Sequence, residues 1–576
     1  MKTLLGPILH AEDQRSPDTW TFSVSLYLAG TDPTRPLPLR LRFLDSDARE
    51  LPDAASREAT VAADFSSLKR CAGVLWKWTV ALPRRDAQQR VAYRFEAPDG
   101  TPGLPGVDDV KDVVVPAKGA LPRAAFFSCN GASDARTWNS VMRMKRPYGC
   151  WEDMKAQHDA AGGGFHLLIG GGDQVYADIL WDKNPDLEEF RELALERKFY
   201  HALPPGFHED MLAGYVALYC ERWGGRAGIA TLLSRVPGVY TWDDHDIFDG
   251  WGSHELLQDC DWYQSVYSAA ALAFEAFQLG GLRTEDKTPR ERKPCATHYL
   301  QTLRFPGTEC DVDVVVLDLR SGRTSIQPVG RAEQSVGKSE RPVGKTVHQV
   351  MSPAQWEALD AWRKEHGTRA EAGKKPRHVI VVSSVPLVHL RYGPGAEKMG
   401  GVVELRDDMM DQWESVVHRG ERTRLMVDLF TLAKDSCCAV TVVSGDVHVG
   451  ARGLMRSRNP EHVPDGLAEA AIEQVTSSGI VHPPPTLLQF LGMRMLAEDG
   501  VEDLPSFMQT EMLPVGGDRY LRERNWLSLR VEPARSKGAR PKLWLRWEAE
   551  HTPLSMQVVV EPPPLSERTW SSASLP

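Results

Sequence analysis

No apolar run in this chain approaches the roughly 18 residues that a membrane-spanning helix needs. A span is therefore not expected. Near the start, an apolar stretch of about six residues is broken by Gly6 and Pro7, and charges follow at Glu12 and Asp13. That is short for the apolar segment of a secretion signal, so the expected compartment is the cytoplasm. Extended basic tracts are missing as well. Lys374-Lys375-Pro376-Arg377-His378 is short, precedes an apolar segment and reads as a solvated loop. With 68 Lys and Arg against 78 Asp and Glu, the formal net charge is -10, which argues against polymeric nucleic acid as a partner. The nine cysteines, an odd number without regular spacing, do not make a disulfide framework. What remains is an ordinary globular composition, 42% hydrophobic and 25% charged. At 576 residues it is too long for one ordinary core, and two domains are expected, one of them large.

The first 118 residues hold short alternating runs: Trp20–Leu28, Leu37–Phe43, Val74–Leu82, Arg90–Phe95 and Val110–Val115. Pro, Asp and Gly separate them, a pattern that predicts a small antiparallel β-sandwich ending at Pro116-Ala117-Lys118-Gly119. From Arg123 the pattern changes. Apolar strands alternate with helical periodicity across 119–576, which predicts a layered α/β domain. Its expected strands include Ala124–Phe127, Leu167–Gly170, Val239–Trp242, Val312–Leu319, His378–Val385 and Cys438–Val443. Helices are expected over Cys150–Ala161, over Gln258–Leu279 and from Ser352, where Ser-Pro-Ala-Gln supplies an N-cap, a proline and a glutamine in the first turn. Residues 186–236 read as a helical insertion over the strand tips. Residues 324–346, with Pro-Val-Gly twice, read as a long mobile loop. Both are expected to govern access to a site. Three alternating segments, Leu527–Val531, Lys542–Glu548 and Met556–Val560, are expected to close a second sheet.

The apolar strands end in chemistry. Leu167-Leu168-Ile169 runs into three glycines, then Asp173 and, three residues on, Tyr176. Ala124–Phe127 runs into Ser128-Cys129-Asn130, Val239–Trp242 into Asp243-Asp244-His245-Asp246, and Cys438–Val443 into Ser444-Gly445-Asp446-Val447-His448. Carboxyl edges of α/β sheets are where ligands sit. Singly, each tip has an ordinary reading: Cys129 as a buried thiol, Asp173 or Asp446 as a helix cap, His448 as a satisfied polar residue. Together they collect thiol, phenol, imidazole and several carboxylates, the donor set of bound metals. Gathering those carboxylates without a cation would be costly.

Ser128-Cys129-Asn130, Gly171–Asp178, Trp242–Asp246, Val315–Arg323 and Ser444–His448, in this order, resemble the alkaline phosphatase D (PhoD-like) family of calcineurin-like metallophosphatases. The resemblance runs over roughly Arg123 to His448, and the run Asp243–Gly252 looks closest to an intracellular branch. It implies an α/β core of two β-sheets flanked by helices, preceded by a small all-β sandwich of Ig/FnIII type. It further implies hydrolysis of small phosphate mono- or diesters by a metal-bound hydroxide at a dinuclear site. Carried over residue by residue, Asp173 bridges two metals, and Cys129, Tyr176 and His448 complete the first. Asp244 and Asp446 hold the second. His245 faces the substrate phosphate and protonates the leaving oxygen, oriented by Asp246. His389 sits near where related phosphatases supply a further histidine. Arg320 and Arg323 are placed either to reach a phosphate or to make a salt bridge to Asp318. Thiolate, phenolate and imidazole favour iron(III) or zinc at the first site; carboxylates favour calcium, manganese or magnesium at the second. Two other readings stand beside this one. One is a phosphodiesterase acting on nucleotides or lipid head groups, the other a non-catalytic binding module on the same scaffold. The sequence leaves the oligomeric state open.

Overall fold

A computed structural model describes the chain apart from residues 46–48, 52–54, 57, 98, 100–102, 104–109, 226, 254–259, 284–286, 288–296, 325–347, 369–373, 393–410, 499, 535, 537–538, 553–555 and 565–576. All but the first residue of the expected mobile loop 324–346 lies outside the described residues.

Two large mixed sheets organise the molecule. At the middle of the first, the strands Ala124–Phe127, Leu167–Gly171 and Gly238–Thr241 run parallel and side by side. The second centres on four parallel strands: Asp311–Val316, Arg377–Ser383, Ala439–Ser444 and Ala470–Thr476. These central strands are apolar along most of their length because each is covered on both faces. Phe126, Leu167, Ile169 and Val239 of the first sheet share one core with Val312, Val314, Ile380, Val382 and Val443 of the second. The first sheet's other face, with Phe127, Leu168 and Tyr240, packs under the helices Phe207–Trp223 and Asp261–Phe277. Val315, Val379, Val381 and Val440 of the second sheet pack under Pro353–Thr368 and Arg419–Asp435. The result is an α/β protein of two facing sheets flanked by helices. Ser352 does cap its helix, accepting from the Gln355 N–H at 3.1 Å. The segment 186–236 is helical in large part, with Phe207–Trp223 its longest piece.

Two of the sequence expectations about sheets meet a different outcome in detail. The C-terminal strands Asn525–Glu532, Lys542–Ala549 and Met556–Val560 do not close the second sheet. They extend the first, pairing antiparallel with Ala124–Phe127 through Leu527, Ser528 and Leu529. Alternation reveals that one face is buried; it does not reveal which sheet edge the strand joins. The N-terminal strands form a sandwich, with Thr19–Ala29 and Gly73–Pro83 facing a small sheet of Arg40–Leu44, Gln89–Glu96 and Lys111–Val115. Phe22 meets Phe43 edge-on at 6.2 Å, and Trp78 lies 5.2 Å from Phe95. One of its layers is continuous with the large first sheet, because Lys2–Ala11 pairs with Gly238–Thr241 at His10 and Gly238.

The parallel strands of both sheets end on the same side of the molecule. Ser128-Cys129, Gly172-Asp173 and Asp243–Asp246 leave the first sheet there, and Gly445–His448 and Ser477-Ser478 leave the second. Contacts across the tips prove the convergence: Ile480 N–H donates to the Ser128 carbonyl at 3.1 Å, and Ser384 Oγ donates to Asp243 Oδ1 at 2.9 Å.

Candidate metal centre

The turn after Leu167–Gly171 puts Asp173 at the meeting point of the two sheets. Gly172 makes this possible, with φ at +104° and no room for a Cβ, which would stand 2.8 Å from Asp243 Cβ. Gly445 does the same on the second sheet, where a Cβ would lie 2.5 Å from Ser128 Oγ. Around them the backbone is strained. Cys129, Asp173, Tyr176, Asp446 and His448, none a glycine, all adopt left-handed φ between 52° and 69°. Such conformations cost free energy and persist where the surroundings enforce them, most often at functional sites.

Asp173 is almost fully buried and takes part in two groups of donor atoms. In the first, Cys129 Sγ lies 3.4 Å and Tyr176 Oη 3.5 Å from Asp173 Oδ2, and Tyr176 Oη lies 3.3 Å from His448 Nε2. Cys129, Asp173 and His448 are close enough together to hold one ion. In the second group Asp173 stands with Asp244 and His245. Asp446, from the second sheet, lies near them but belongs to neither group. Its Oδ2 accepts from Gln412 Nε2 at 2.7 Å, and its main-chain oxygen lies 3.7 Å from Cys129 Sγ. Asp173 Oδ1 and Asp243 Oδ2 are buried without a hydrogen-bond partner among the described residues. Orphaned buried carboxylate oxygens are rare in native proteins and mark a missing ligand or ion.

The electrostatics point the same way. Burial, then the carboxylates of Asp244, Asp243 and Asp246, push the Asp173 pKa well above its ordinary range against the pull of His245. Burial, then Asp243, Asp411 and Asp244, do the same to Asp446. The Cys129 thiol and Tyr176 phenol are raised by burial and, among their neighbours, by Asp173. Burial, with His482 and His245 nearby, lowers His448 well below the usual imidazole value, leaving it neutral and free to ligate. The four raised shifts are those of a donor cluster lacking its counter-charge, and a divalent or trivalent cation supplies it. The donor set and the orphaned oxygens therefore fit a metal centre.

His245 lies beside this cluster, its ring stacked on Tyr176 at 4.7 Å. Burial alone would lower its pKa, but Asp178, Asp244 and Asp173 outweigh that and hold it well above the usual imidazole value. Its Nδ1 meets Asp178 Oδ2 at 2.9 Å. This corrects the expectation that Asp246 orients His245. Asp246 instead accepts from the main-chain N–H groups of Gln174 at 2.8 Å, Val175 at 3.0 Å and Asp243 at 3.1 Å. It ties the Asp173 turn to the Asp243 turn, and its buried carboxyl is pushed up to about 7.

The arginines need a second correction. Arg320 is fully buried, its guanidinium shared among Asp243, Asp244 at 3.3 Å and Asp411 at 2.6 Å. Its link to Asp318 runs only through its main-chain N–H, at 3.0 Å. Arg323 is buried beside it, against the Asp411 main-chain oxygen and, at 3.3 Å, the Asp411 carboxylate. Strand-end position gives an arginine no direction, and here both turn inward to neutralise carboxylates. Arg320→Met is expected to destabilise the fold by about 3–5 kcal/mol, since it leaves three buried carboxylates short of their cation. Urea unfolding checks this. A higher KM at unchanged stability would instead identify a phosphate-gripping arginine.

His389 also falls elsewhere. Its N–H donates to Glu414 Oε1 at 3.3 Å and its ring stands edge-on to Tyr520, with burial lowering its pKa to about 4. None of these contacts is with a strand-tip residue. His482, in contrast, lies beside the cluster. Its ring stacks on His448 with centroids 3.6 Å apart and on Tyr176 at 5.8 Å, and burial lowers its pKa to about 4. The sequence carried a signal for it, because Ser477–His482 follows another apolar strand. Ser478 adds an Oγ 3.0 Å from Cys129 Sγ. Asp178 was visible too, within Gly-Asp-Gln-Val-Tyr-Ala-Asp, but nothing in its spacing paired it with His245. Asp411 and Gln412 carry no comparable signal in the sequence.

Residues 120–284 and 395–509 match the model of the PhoD related phosphatase family. The first segment contains Cys129, Asp173, Tyr176, Asp178, Asp244 and His245, and the second contains Asp411, Asp446, His448 and His482. An uncharacterized protein of Saccharomyces cerevisiae is 21% identical over 427 residues, covering 67% of this chain. The match takes in 57% of that relative, so the chain spans little more than half of its length. The structure is similar to purple acid phosphatase PPD1 from yellow lupin (Lupinus luteus) seeds, with a TM-score of 0.47 and 11% identity over 97% of this chain and 74% of that one. At that score the likeness carries no weight in assigning the fold. No helix among the described residues is long and apolar enough to cross a membrane. With its strand-tip residues inside both matched segments, the chain is similar to the PhoD related phosphatase family over just under half of its length.

Proposed function

We propose that the chain is a metal-dependent phosphohydrolase acting on small phosphate mono- or diesters at a dinuclear centre. The observation that carries this is Asp173, one carboxylate shared by two donor groups, with a buried oxygen left unpartnered. On one side of it Cys129, Tyr176 and His448 would hold the first metal. On the other, Asp244 and Asp446 would hold the second, with His245 beside them. Thiolate, phenolate and imidazole suit iron(III) or zinc; the carboxylate pair suits calcium, manganese or magnesium. Bound there, two cations supply Lewis acidity toward phosphoryl oxygens and make water a competent nucleophile near neutral pH.

The chain's own residues do the rest. Asp178 fixes the His245 ring and, with the neighbouring carboxylates, keeps it protonated. Its Nε2 is then the donor for a leaving oxygen, the task of a general acid. Arg320 neutralises Asp243, Asp244 and Asp411 from behind, so that the carboxylates beside it keep their positions. Gln412 orients Asp446 through its 2.7 Å bond. A catalytic unit over 119–576, scaffolded by the N-terminal strands, fits this placement.

The test is hydrolysis of aryl phosphate mono- and diesters alongside elemental analysis. Activity is expected to fall to background with a chelator and to return on adding back the metals found. Stoichiometric metal with no hydrolysis across a broad ester panel would refute the proposal. The ratio of monoester to diester turnover then names the preferred class.

A further inference from the structure

At the opposite end of the first sheet from the metal centre lies a cleft of about 720 Å³. The metal-centre residues follow the carboxyl ends of Ala124–Phe127 and Leu167–Gly171, whereas Arg123 and His166 precede the amino ends of the same strands and line the cleft. The 5 residues of Leu167–Gly171 separate the two places, a distance of roughly 16 Å. One wall comes from the N-terminal strands, at Gln88 and Arg90, and the other from the loop 159–163 after the helix Gly149–Asp159. Arg123 joins the walls. Its Nη1 donates to the Gly162 carbonyl at 2.8 Å, and its Nη2 to the Gly163 carbonyl and to Gln88 Oε1, each at 2.7 Å. Gln88 Nε2 donates in turn to the Gly163 carbonyl at 2.8 Å. Behind them Arg84 is buried, donating to the carbonyls of Pro116, Ala117 and Ala120. Among the described residues, Arg84 and Arg123 thus hydrogen-bond only to neutral oxygens. Asp112 and Asp159 do not offset this charge. Asp112 pairs with Arg90 at 2.7 Å and Arg235 at 2.8 Å, and Asp159 with Arg235 at 2.7 Å and Lys155 at 2.5 Å. Asp18, which acts on Arg84, is held by Lys118 at 2.9 Å. In a chain whose net charge is -10, the cleft therefore concentrates positive charge. Burial, then the guanidiniums of Arg530 and Arg90, lower the Arg123 pKa, and burial, then Arg123, Arg84 and His158, do the same to His166.

We propose that this cleft is a second, non-catalytic site that binds a phosphate-bearing small molecule between the guanidiniums of Arg90 and Arg123. A guanidinium carries five N–H groups, and its planar fork matches phosphate oxygens. The bonds of Arg123 leave Nε–H and one Nη1–H for a ligand. Arg90 donates to Asp112 and to the His158 carbonyl and keeps its other N–H groups. Pro116, Ala117, Leu121 and Ala160 line the same cleft and offer apolar surface to the rest of the molecule. The volume falls in the usual span of small-molecule sites, roughly 300–1,000 Å³. A bound anion joins Arg90 of the N-terminal strands to Arg123 of the catalytic unit, and so fastens the seam between them. The site does not depend on the hydrolytic reading, because no metal-centre residue lines it.

The test is calorimetric titration of the full chain with phenylphosphonate, whose P–C bond a phosphate-ester hydrolase does not cleave. It is run on wild type and on Asp173→Asn, which lacks the carboxylate shared by the two donor groups. Asp173→Asn is expected to bind one equivalent, since the cleft is untouched. Ala161→Glu, in the exposed loop that lines the cleft, sets a like charge against the anion and should weaken that binding by at least about tenfold. Arg90→Gln should weaken it as well. Both changes, made in the wild type, should leave hydrolysis as it was. Benzoate, with a carboxylate in place of the phosphonate, should bind more weakly, and equal affinity would overturn the assignment to phosphate. Binding by wild type but none by Asp173→Asn would place the anion at the metal centre and overturn the site. Binding that neither Ala161→Glu nor Arg90→Gln weakens would do the same, and would leave Arg90 and Arg123 as structural ties of the loop. Should Asp173→Asn fail to fold, wild type and Ala161→Glu decide: the latter must bind one equivalent fewer. Absence of hydrolysis with this binding intact would count against the proposed reaction alone.

Discussion

Asp173→Asn is expected to remove both metals at once and to lower hydrolysis by at least about 10³-fold, beyond what loss of a single electrostatic donor usually costs. The argument rests on sharing. Cys129 and His448 meet Asp173 in one donor group, Asp244 and His245 meet it in the other, and among the described residues no second carboxylate belongs to both groups. Asparagine keeps the size of the side chain, so the turn after Gly172 keeps its shape. A second readout separates this from simple unfolding. Burial and the surrounding carboxylates already disfavour the charged form of Asp173. The metal-free variant should therefore be at least as stable as metal-free wild type, because a poorly solvated buried charge has gone. Elemental analysis, a rate measurement and urea unfolding of both metal-free proteins check the three parts. Retention of one full equivalent of metal would show that the two groups do not share Asp173.

Much of this centre was legible because its residues follow apolar strands. A run such as Val-Tyr-Thr-Trp before Asp243 declares both a buried strand and the place where it surfaces, and the six ligands that the family resemblance implied all lie just beyond such strand ends. What periodicity cannot carry is direction. Arg320 and Arg323 also follow an apolar strand, yet both turn back into the protein, against the carboxylates of Asp243, Asp244 and Asp411. Asp246 was assigned to His245 by adjacency along the chain. In a tight turn, however, its carboxylate finds three main-chain N–H groups first. Partners from distant segments stayed hidden for a related reason. Asp411 reaches Arg320 across 91 residues, and Gln412 reaches Asp446 across 34, with no local pattern to announce either. The sheets show the same limit. The C-terminal strands were recognisable as strands, whereas their edge beside Ala124–Phe127 was set by packing.

His245→Ala is expected to keep both metals and still lose about 10²–10⁴-fold in rate on an ester with a poor leaving group, the usual range for general acid catalysis. On a nitrophenyl ester, whose leaving group needs little protonation, the loss should be much smaller. Asp178 turns this into a test of the dyad. Asp178→Asn keeps a hydrogen-bonding group 2.9 Å from Nδ1 but removes the charge that, after burial, contributes most to the shift of His245. Its loss should follow the same leaving-group dependence as that of His245→Ala, at smaller size, and the double variant should be no slower than His245→Ala alone. Asp246→Asn provides the contrast. Because Asp246 fastens the main chain of two turns, its replacement should lower stability and affect both esters alike. Rates on the two esters, beside elemental analysis of each variant, separate these roles. Equal losses on both esters for His245→Ala would make it a phosphate-binding residue. Loss of metal from that variant would make it a ligand, which its place in the group with Asp173 and Asp244 allows. A leaving-group-dependent loss for Asp246→Asn and none for Asp178→Asn would return the orienting role to Asp246.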